Sequence, residues 1–97
     1  MPTYIILLDF TEQGVQKIKD TTKRADAFAE AAKKAGITVK DVYWTSGEHD
    51  GVLILEAPDD ETVSASLLSL AKQGNVRSHT LRAFTRSEIE SIIDKIG

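Results

Sequence analysis

Three side chains able to do acid–base or metal chemistry stand next to one another in the chain: Glu48, His49 and Asp50. Residues 46–51 are rich in Gly, Ser and Asp, which indicates a turn. His49 could transfer a proton near neutral pH while Asp50 holds its tautomer. In the alternative, Asp50 accepts backbone amides of the turn and His49 is solvated. We favour this alternative, and no metal is predicted because no second set of ligands has the required spacing.

A second histidine, His79, lies in a predicted strand with Arg77 on the same side and Arg82 on the opposite side. An Arg or His on a strand face could hold an anionic or carbonyl substrate. The competing interpretation is an edge strand made polar against further pairing, or an Arg at the rim of an interface. His79 or His49 could also be the proximal ligand of a haem, but nothing else favours one, so no cofactor is predicted.

Asp9 is a carboxylate near the end of an apolar strand, with Leu7 on its side. Apolar surroundings raise the pKa of a carboxyl group unless it is paired. We expect Asp9 to pair with Arg77 or Arg82, and a structural ion pair is a better prediction than a general base.

Two aromatic residues, Tyr43 and Trp44, end another predicted strand, so one should face the core and the other a partner or solvent. Aromatic side chains with a polar tip suit pocket walls as well as interfaces. Packing in the core or at an interface is the simpler interpretation, and a ligand-binding role is the alternative.

The elements that position these residues follow from hydrophobic periodicity. The pattern predicts four strands, at 4–10, 37–45, 52–55 and 76–84, and two long helices, at 23–35 and from Asp59 or Asp60 to Gly74. Thr85 and Glu88 form a capping-box pattern that opens a terminal helix with an isoleucine face. This order, βαββαβ plus a helix, predicts an α+β, ferredoxin-like antiparallel sheet with strand order 4-1-3-2.

Composition narrows the classes of function. The 97 residues carry a net charge of −3, are 41% hydrophobic and include no cysteine. We expect one domain over 1–97, no nucleic-acid partner, no disulfide or thiolate site, and no membrane segment or signal peptide. The predicted location is the cytoplasm.

The two central strands are apolar on both sides, which a sheet with one face in water should not be. The side chains on the face away from the helices are predicted to be Ile5 and Leu7 with Leu53 and Leu55, or else the opposite set of alternate residues. Leaving about four such side chains in water forgoes roughly 6–12 kcal/mol, as much as the whole stability of a small domain. The sequence therefore predicts a homodimer or larger homo-oligomer joined through the sheet face.

Several segments in register resemble the GYD family of small bacterial proteins, in the dimeric α/β-barrel group. The matching segments are 2–5, 43–45, 47–50, 56–61, 74–77 and 80–84. One departure is that His49 stands where the family has the tyrosine of its Gly-Tyr-Asp motif, which puts any role of a phenol there in doubt. The resemblance implies ferredoxin-like protomers and a dimeric assembly, but no reaction.

Two functions follow as hypotheses. The first is a small-molecule binding, sensing or interaction module without chemistry of its own, with a possible small apolar ligand. The second is a cofactor-free isomerase or monooxygenase acting on a hydrophobic ring or carbonyl compound. Its pocket would lie between sheet and helices, lined by aromatic residues and by one or two of His49, His79, Arg77 and Asp9.

Overall fold

The computed structural model describes all 97 residues. Four strands and four α-helices follow one another along the chain in the order β1, α1, α2, β2, β3, α3, β4, α4, with a 3₁₀ turn at Ile18–Asp20 before α2. Their bounds are β1 Thr3–Phe10, α1 Glu12–Gln16, α2 Thr21–Lys34, β2 Thr38–Trp44, β3 Gly51–Glu56, α3 Asp60–Lys72, β4 Val76–Ala83 and α4 Arg86–Ile93. This confirms the predicted α+β, ferredoxin-like order with a terminal helix.

The four strands form one antiparallel sheet in the order β2-β3-β1-β4. The two strands whose sequences are apolar on both sides, β1 and β3, are therefore central. Leu7 lies opposite Val52 on one side and His79 on the other. Opposed residues of an antiparallel pair share a face, so this register fixes the face on which each side chain lies.

Helices α2 and α3 lie on one face of the sheet, here called the covered face. Its central side chains, Tyr4, Ile6, Leu53 and Leu55, are between 0 and 4% exposed. Ala32 from α2, with Val63 and Leu67 from α3, completes the buried cluster. At roughly 1.5–3 kcal/mol for each large side chain, this layer supplies most of the hydrophobic stabilisation of the protomer.

The opposite face, here called the open face, carries the alternate residues of the same strands. Ile5 and Leu7 of β1 lie beside Val52 and Ile54 of β3, and all four are partly exposed. No helix of this chain covers them. The predicted grouping of Ile5 and Leu7 with Leu53 and Leu55 is wrong, because these two leucines pair with Ile6 and Tyr4 on the covered face.

The predicted helix signals are present. Asp59, not Asp60, is the N-cap of α3 and accepts a hydrogen bond from the Thr62 amide at 2.8 Å. Thr85 and Glu88 form the predicted capping box of α4. Gly36 has φ +84 just after α2, a conformation that glycine adopts without a steric cost. None of the helices has the length and apolar character needed to cross a bilayer.

Candidate functional site

Asp9 is the centre of a group of three titratable side chains on the open face. Asp9 lies on this face because it is two residues after Leu7 in β1, where it pairs with Arg77 of β4 while Leu7 pairs with His79. His79 Nε2 lies 3.0 Å from one Asp9 carboxylate oxygen, and His49 Nδ1 lies 2.9 Å from the other. We call Asp9, His49 and His79 the Asp9 cluster.

His49 reaches Asp9 because the turn between β2 and β3 is tied to the end of β1. The Asp50 amide donates to the Leu8 carbonyl at 2.8 Å, and the Asp50 carboxylate accepts the Phe10 amide at 2.8 Å. The Thr45 hydroxyl donates to the His49 carbonyl at 2.6 Å. The favoured interpretation is therefore wrong in two respects: the amide that Asp50 accepts belongs to Phe10 of β1 and not to the turn, and His49 is not solvated but is oriented by Asp9.

The protonation of the Asp9 cluster follows from its hydrogen bonds. An ionised carboxylate only accepts hydrogen bonds, so His49 Nδ1 and His79 Nε2 both carry hydrogens and donate to Asp9. The hydrogen bond from His49 lowers the pKa of Asp9 below its ordinary value, partial burial opposes this, and the bond from His79 adds to the lowering. Asp9 is thus an anion that holds two imidazoles in place.

The cluster leaves one nitrogen of each ring free. When the rings are neutral, His49 Nε2 and His79 Nδ1 are acceptors. The ring centroids are 5.7 Å apart and the ring planes are inclined by 60°. Their donor atoms converge on Asp9 and not on a common point in solvent, and no group of three His, Asp or Glu side chains has the arrangement of a metal site. The arrangement suits proton exchange or an electrostatic contact with a second surface.

The expected pairing of Asp9 with Arg77 or Arg82 is wrong. Arg77 lies opposite Asp9 in the register but forms no ion pair with it. Arg82 lies on the covered face, with its guanidinium 5.6 Å from the Tyr4 ring centroid and 4.5 Å from that of Phe84. Its side chain lies at the β4 edge of the sheet next to α4, where it also pairs with Glu88.

The two aromatic residues at the end of β2 lie on opposite faces as predicted, but the expectation that one of them faces the core is wrong, because Trp44 is 47% exposed. Tyr43 pairs with Val52 and lies on the open face, 55% exposed. The Trp44 indole donates to the Thr21 hydroxyl of α2 at 3.0 Å, on the side of the helices. Only Tyr43 therefore stands on the same face as the Asp9 cluster.

None of His49, His79, Arg77 and Asp9 lines the cavity between the sheet and the helices. The cavity found there has a volume of about 60 Å³ and is lined by Phe28, Tyr43 and Trp44 among others, with Asp50 at its edge. The four residues named by the hypothesis lie on or above the other face. The cavity is thus lined by aromatic side chains of the expected kinds but by none of the expected His, Arg or Asp9 side chains.

Sequence reasoning missed the bond between Asp9 and His49. Strand alternation would have placed Asp9 and His79 on one face, because His79 pairs with Leu7, which is two residues before Asp9 in β1. His49 lies in a turn with no periodicity, so no such rule reaches it. The hydrogen bond from the Tyr4 hydroxyl to Asp60 also joins residues far apart in the chain.

Comparisons with known proteins agree with this architecture. Residues 4–93 match the family described as GYD domain. A Thermus thermophilus protein named "Glutamine synthetase and cystathionine beta-lyase binding protein" is 31% identical over 90 residues, which cover 92% of this chain and 95% of that protein.

Two crystal structures share the fold. MtbAldR superposes with a TM-score of 0.63 at 19% identity, and the match covers 88% of this chain and 54% of MtbAldR, so this chain spans about half its length. TTHA0845 from Thermus thermophilus superposes with a TM-score of 0.55 at 25% identity, covering 88% of this chain and 95% of that one. The protomer has the architecture of the dimeric α/β-barrel group.

Proposed function

The chain belongs to the GYD domain family, and on that premise we propose that it is a protein-binding module that works as a homodimer. In this proposal two copies stack their open faces, and the pair binds a metabolic enzyme through its remaining surface. The Thermus relative is named for binding glutamine synthetase and cystathionine beta-lyase. Enzymes of these two kinds are therefore the partners we propose for this chain.

The observation that carries the proposal is the apolar centre of the open face. Ile5, Leu7, Val52 and Ile54 lie side by side across the two central strands. Leu81 of β4 extends the patch and is 47% exposed. A contiguous apolar patch framed by polar groups is typical of a protein interface. A two-fold stack would bury this patch against an identical one.

The Asp9 cluster and Tyr43 border the patch and give it a polar rim. His49 and Asp9 are about two-thirds buried in the protomer, whereas the His79 side chain is 59% exposed. Polar and charged groups at a rim contribute more to register and partner choice than to affinity. In this proposal the Asp9 cluster fixes how the second copy is oriented.

An enclosed small-molecule site is less well supported. Pockets for small ligands generally measure about 300–1,000 Å³, and the cavity between sheet and helices holds about 60 Å³. The larger space, about 580 Å³, is an open groove between α2 and α3. Neither space is lined by Asp9, His49 or His79.

The Asp9 cluster favours one second candidate, a cofactor-free enzyme that moves a proton on a ring or carbonyl compound. A carboxylate that fixes an imidazole is a common arrangement for general-base catalysis. A thermal-shift screen with small aromatic acids and lactones tests this candidate. A ligand whose stabilisation disappears in His49→Gln but persists in Ser64→Lys would support the enzyme over the binding module.

The binding proposal is tested by titrating the protein against glutamine synthetase and cystathionine beta-lyase from the same source, with an unrelated oligomeric enzyme of similar size as reference. We expect saturable binding to at least one of the two enzymes in biolayer interferometry. Ile54→Lys, on the open face, should weaken binding by removing the dimer. Ser64→Lys, on the solvent side of α3, is the matched control. No binding to either enzyme would refute this function.

A further inference from the structure

Arg24 of α2 has one edge of its guanidinium group without a hydrogen-bond partner. Its Nη1 donates to the Lys17 carbonyl at 2.7 Å, but neither Nε nor Nη2 donates to any atom of the chain. Nη2 is shielded from solvent, and it is the one buried side-chain nitrogen or oxygen of the molecule that has no hydrogen bond. Buried polar groups in proteins are nearly always hydrogen-bonded, so this exception calls for a physical explanation.

The guanidinium of Arg24 also carries a charge that no acidic side chain balances. None of the five ion pairs of the chain includes Arg24. Arg24 lies near the N-terminal end of α2, whose first turn has no acidic residue, and the helix dipole is unfavourable to a cation at that end. A charge removed from water is normally paired. The group that would complete Arg24 is therefore an anion.

The segment that leads into α2 attracts anions as well. From Lys17 to Arg24 the chain has four basic residues and one acidic residue, a net charge of +3 within a chain whose net charge is −3. The three lysines are exposed. A surface patch of one sign raises the local concentration of ions of the opposite sign. An anion is thus drawn to the part of the molecule where Arg24 lacks a partner.

Arg24 lines the small cavity between sheet and helices, here called the inner cavity. Most of its other walls are apolar and include Leu8, Phe28 and Leu53. Its volume is about 60 Å³. One water-sized group needs roughly 10–15 Å³ of such space, whereas a cavity that binds benzene measures about 150 Å³. The inner cavity therefore has room for roughly four to six non-hydrogen atoms and not for a ring.

A second hydrogen-bond donor stands one turn before Arg24 on α2. The Thr21 hydroxyl accepts the indole hydrogen of Trp44 at 3.0 Å, and its own hydrogen goes to no atom of the chain. Thr21 and Trp44 both line the inner cavity. Asp50 lines it too, where its charge opposes an anion, but the Phe10 amide holds its carboxylate at β1. An anion in the cavity would therefore lie on the α2 side, beside Thr21 and Arg24.

The form of the unpartnered edge selects the kind of anion. The Nε and Nη2 hydrogens of an arginine point in the same direction, and this planar pair matches the two oxygens of a carboxylate. A phosphate or sulfate would turn its remaining oxygens toward apolar walls, which is unfavourable without hydrogen bonds. A carboxylate with an aliphatic tail places only carbon against those walls.

We propose that the inner cavity binds a short-chain monocarboxylate of about two to four carbons, with its carboxylate on the Nε–Nη2 edge of Arg24 and its tail among the apolar side chains. Arg24, Phe28 and Leu70 line both the inner cavity and the open groove between α2 and α3, which makes the groove the route of entry. The site lies on the helix side of the sheet and uses neither the open face nor the Asp9 cluster. It is therefore separate from the dimer contact and from the binding function proposed above.

Trp44 can report this binding, because it lines the inner cavity and is the only tryptophan of the chain. Sodium propionate is titrated into the protein at constant ionic strength while the Trp44 fluorescence is followed. We expect a saturable change with a Kd on the order of millimolar, since so small a ligand makes few contacts. Propionamide, which lacks the charge, and benzoate, whose ring exceeds the cavity, should each bind at least about ten-fold more weakly.

The variants assign the binding to Arg24 and to the cavity. Arg24→Gln should raise the propionate Kd at least about ten-fold, whereas Lys23→Gln, which removes the same charge from the exposed neighbouring position, should change it less than about two-fold. Ala25 lines the inner cavity, so Ala25→Val should abolish binding by filling it while Arg24 stays in place. Melting temperatures without ligand identify any variant that is unfolded.

Four results would overturn the proposal. They are the absence of a saturable response in the wild type, equal binding of propionate and propionamide, an equal loss in Lys23→Gln and Arg24→Gln, and an unchanged Kd in Ala25→Val. If Arg24→Gln does not fold, the comparison of Ala25→Val with the wild type, together with the propionamide titration, decides the matter.

Discussion

The two faces of the sheet are made by alternate residues of the same strands, yet only one of them is buried within the protomer. On the covered face, Ile6 and Leu55 are fully buried beneath α2 and α3. One residue along each strand, Leu7 and Ile54 are as apolar but only partly covered. A strand that faced water on one side would have polar residues at these positions. The protomer is therefore stabilised by burial of the covered face, whereas the open face keeps apolar side chains that its own chain covers only in part.

The titratable residues follow the same division. The Asp9 cluster lies on the open face, whereas Arg82 and the Tyr4–Asp60 hydrogen bond lie on the covered side. Arg82 packs on aromatic rings beside the core. The open face combines partly exposed apolar side chains with two imidazoles held by a carboxylate, which is why we look there for partner recognition.

The largest expected effect on stability comes from shortening one buried side chain of the covered face and comparing it with a shortened side chain of the open face. Leu55→Ala should lower the free energy of unfolding by about 2–5 kcal/mol, as for other buried leucines. Ile54→Ala should cost less than half as much when unfolding is measured by urea denaturation at concentrations low enough to dissociate the assembly. Equal costs in dilute solution would mean that the two faces are equally buried within one copy.

A smaller effect on stability is expected at Gly14 of α1, which lies against the backbone of Asn75. A Cβ atom on Gly14 would lie 2.0 Å from the Asn75 carbonyl oxygen, so the backbone must shift to admit it. Gly14→Ala should therefore cost about 1–3 kcal/mol of unfolding free energy, the usual range for overpacking. The control is Gln16→Ala on the same helix, which is exposed and should be near neutral. An unchanged urea midpoint for Gly14→Ala would contradict the close approach.

The smallest effect concerns the acid side of the stability profile. The pKa of Asp9 is lowered in the folded state by its hydrogen bond from His49. The unfolded chain then binds a proton more readily, so this stabilisation is present above the ordinary pKa of 3.8 and is lost as pH falls below it. Asp9→Asn should flatten the decline in melting temperature between about pH 4 and pH 2.

Asp59→Asn serves as the comparison on the helix side, because the Thr62 hydroxyl and amide lower the pKa of Asp59 in the same direction. Each variant should flatten part of the decline. A melting curve for Asp9→Asn that keeps the full acid slope of the wild type would show that Asp9 is not held as an anion by the two imidazoles.

Much of the fold follows from local pattern. Apolar residues on both sides of the strand identified β1 and β3 as central, and the capping residues Asp59 and Thr85 mark where α3 and α4 begin. The structure differs in details, such as the register shift between Val39 and Asp41 in β2. Because this bulge adds one residue to β2, Val39 and Val42 both pair with leucines of the covered face, which strict alternation does not predict.

The site was harder to predict because it depends on contacts between distant residues. His49 reaches Asp9 only because Asp50 ties the turn to the end of β1. The wrong pairing of Asp9 with an arginine came from charge alone, and the register then placed Arg82 on the other face. The open groove between α2 and α3 left no signal in the sequence beyond alanine and serine on two amphipathic helices.

The central claim is that the open face is buried against a second copy. Multi-angle light scattering at micromolar concentration measures this directly by comparing the wild type, Ile54→Lys and the control Ser64→Lys. The account predicts a wild-type mass of at least twice the 10.6 kDa of one chain, a mass at least halved by Ile54→Lys, and no change for Ser64→Lys. A wild-type particle of 10.6 kDa, or an assembly that Ile54→Lys leaves intact, would contradict it.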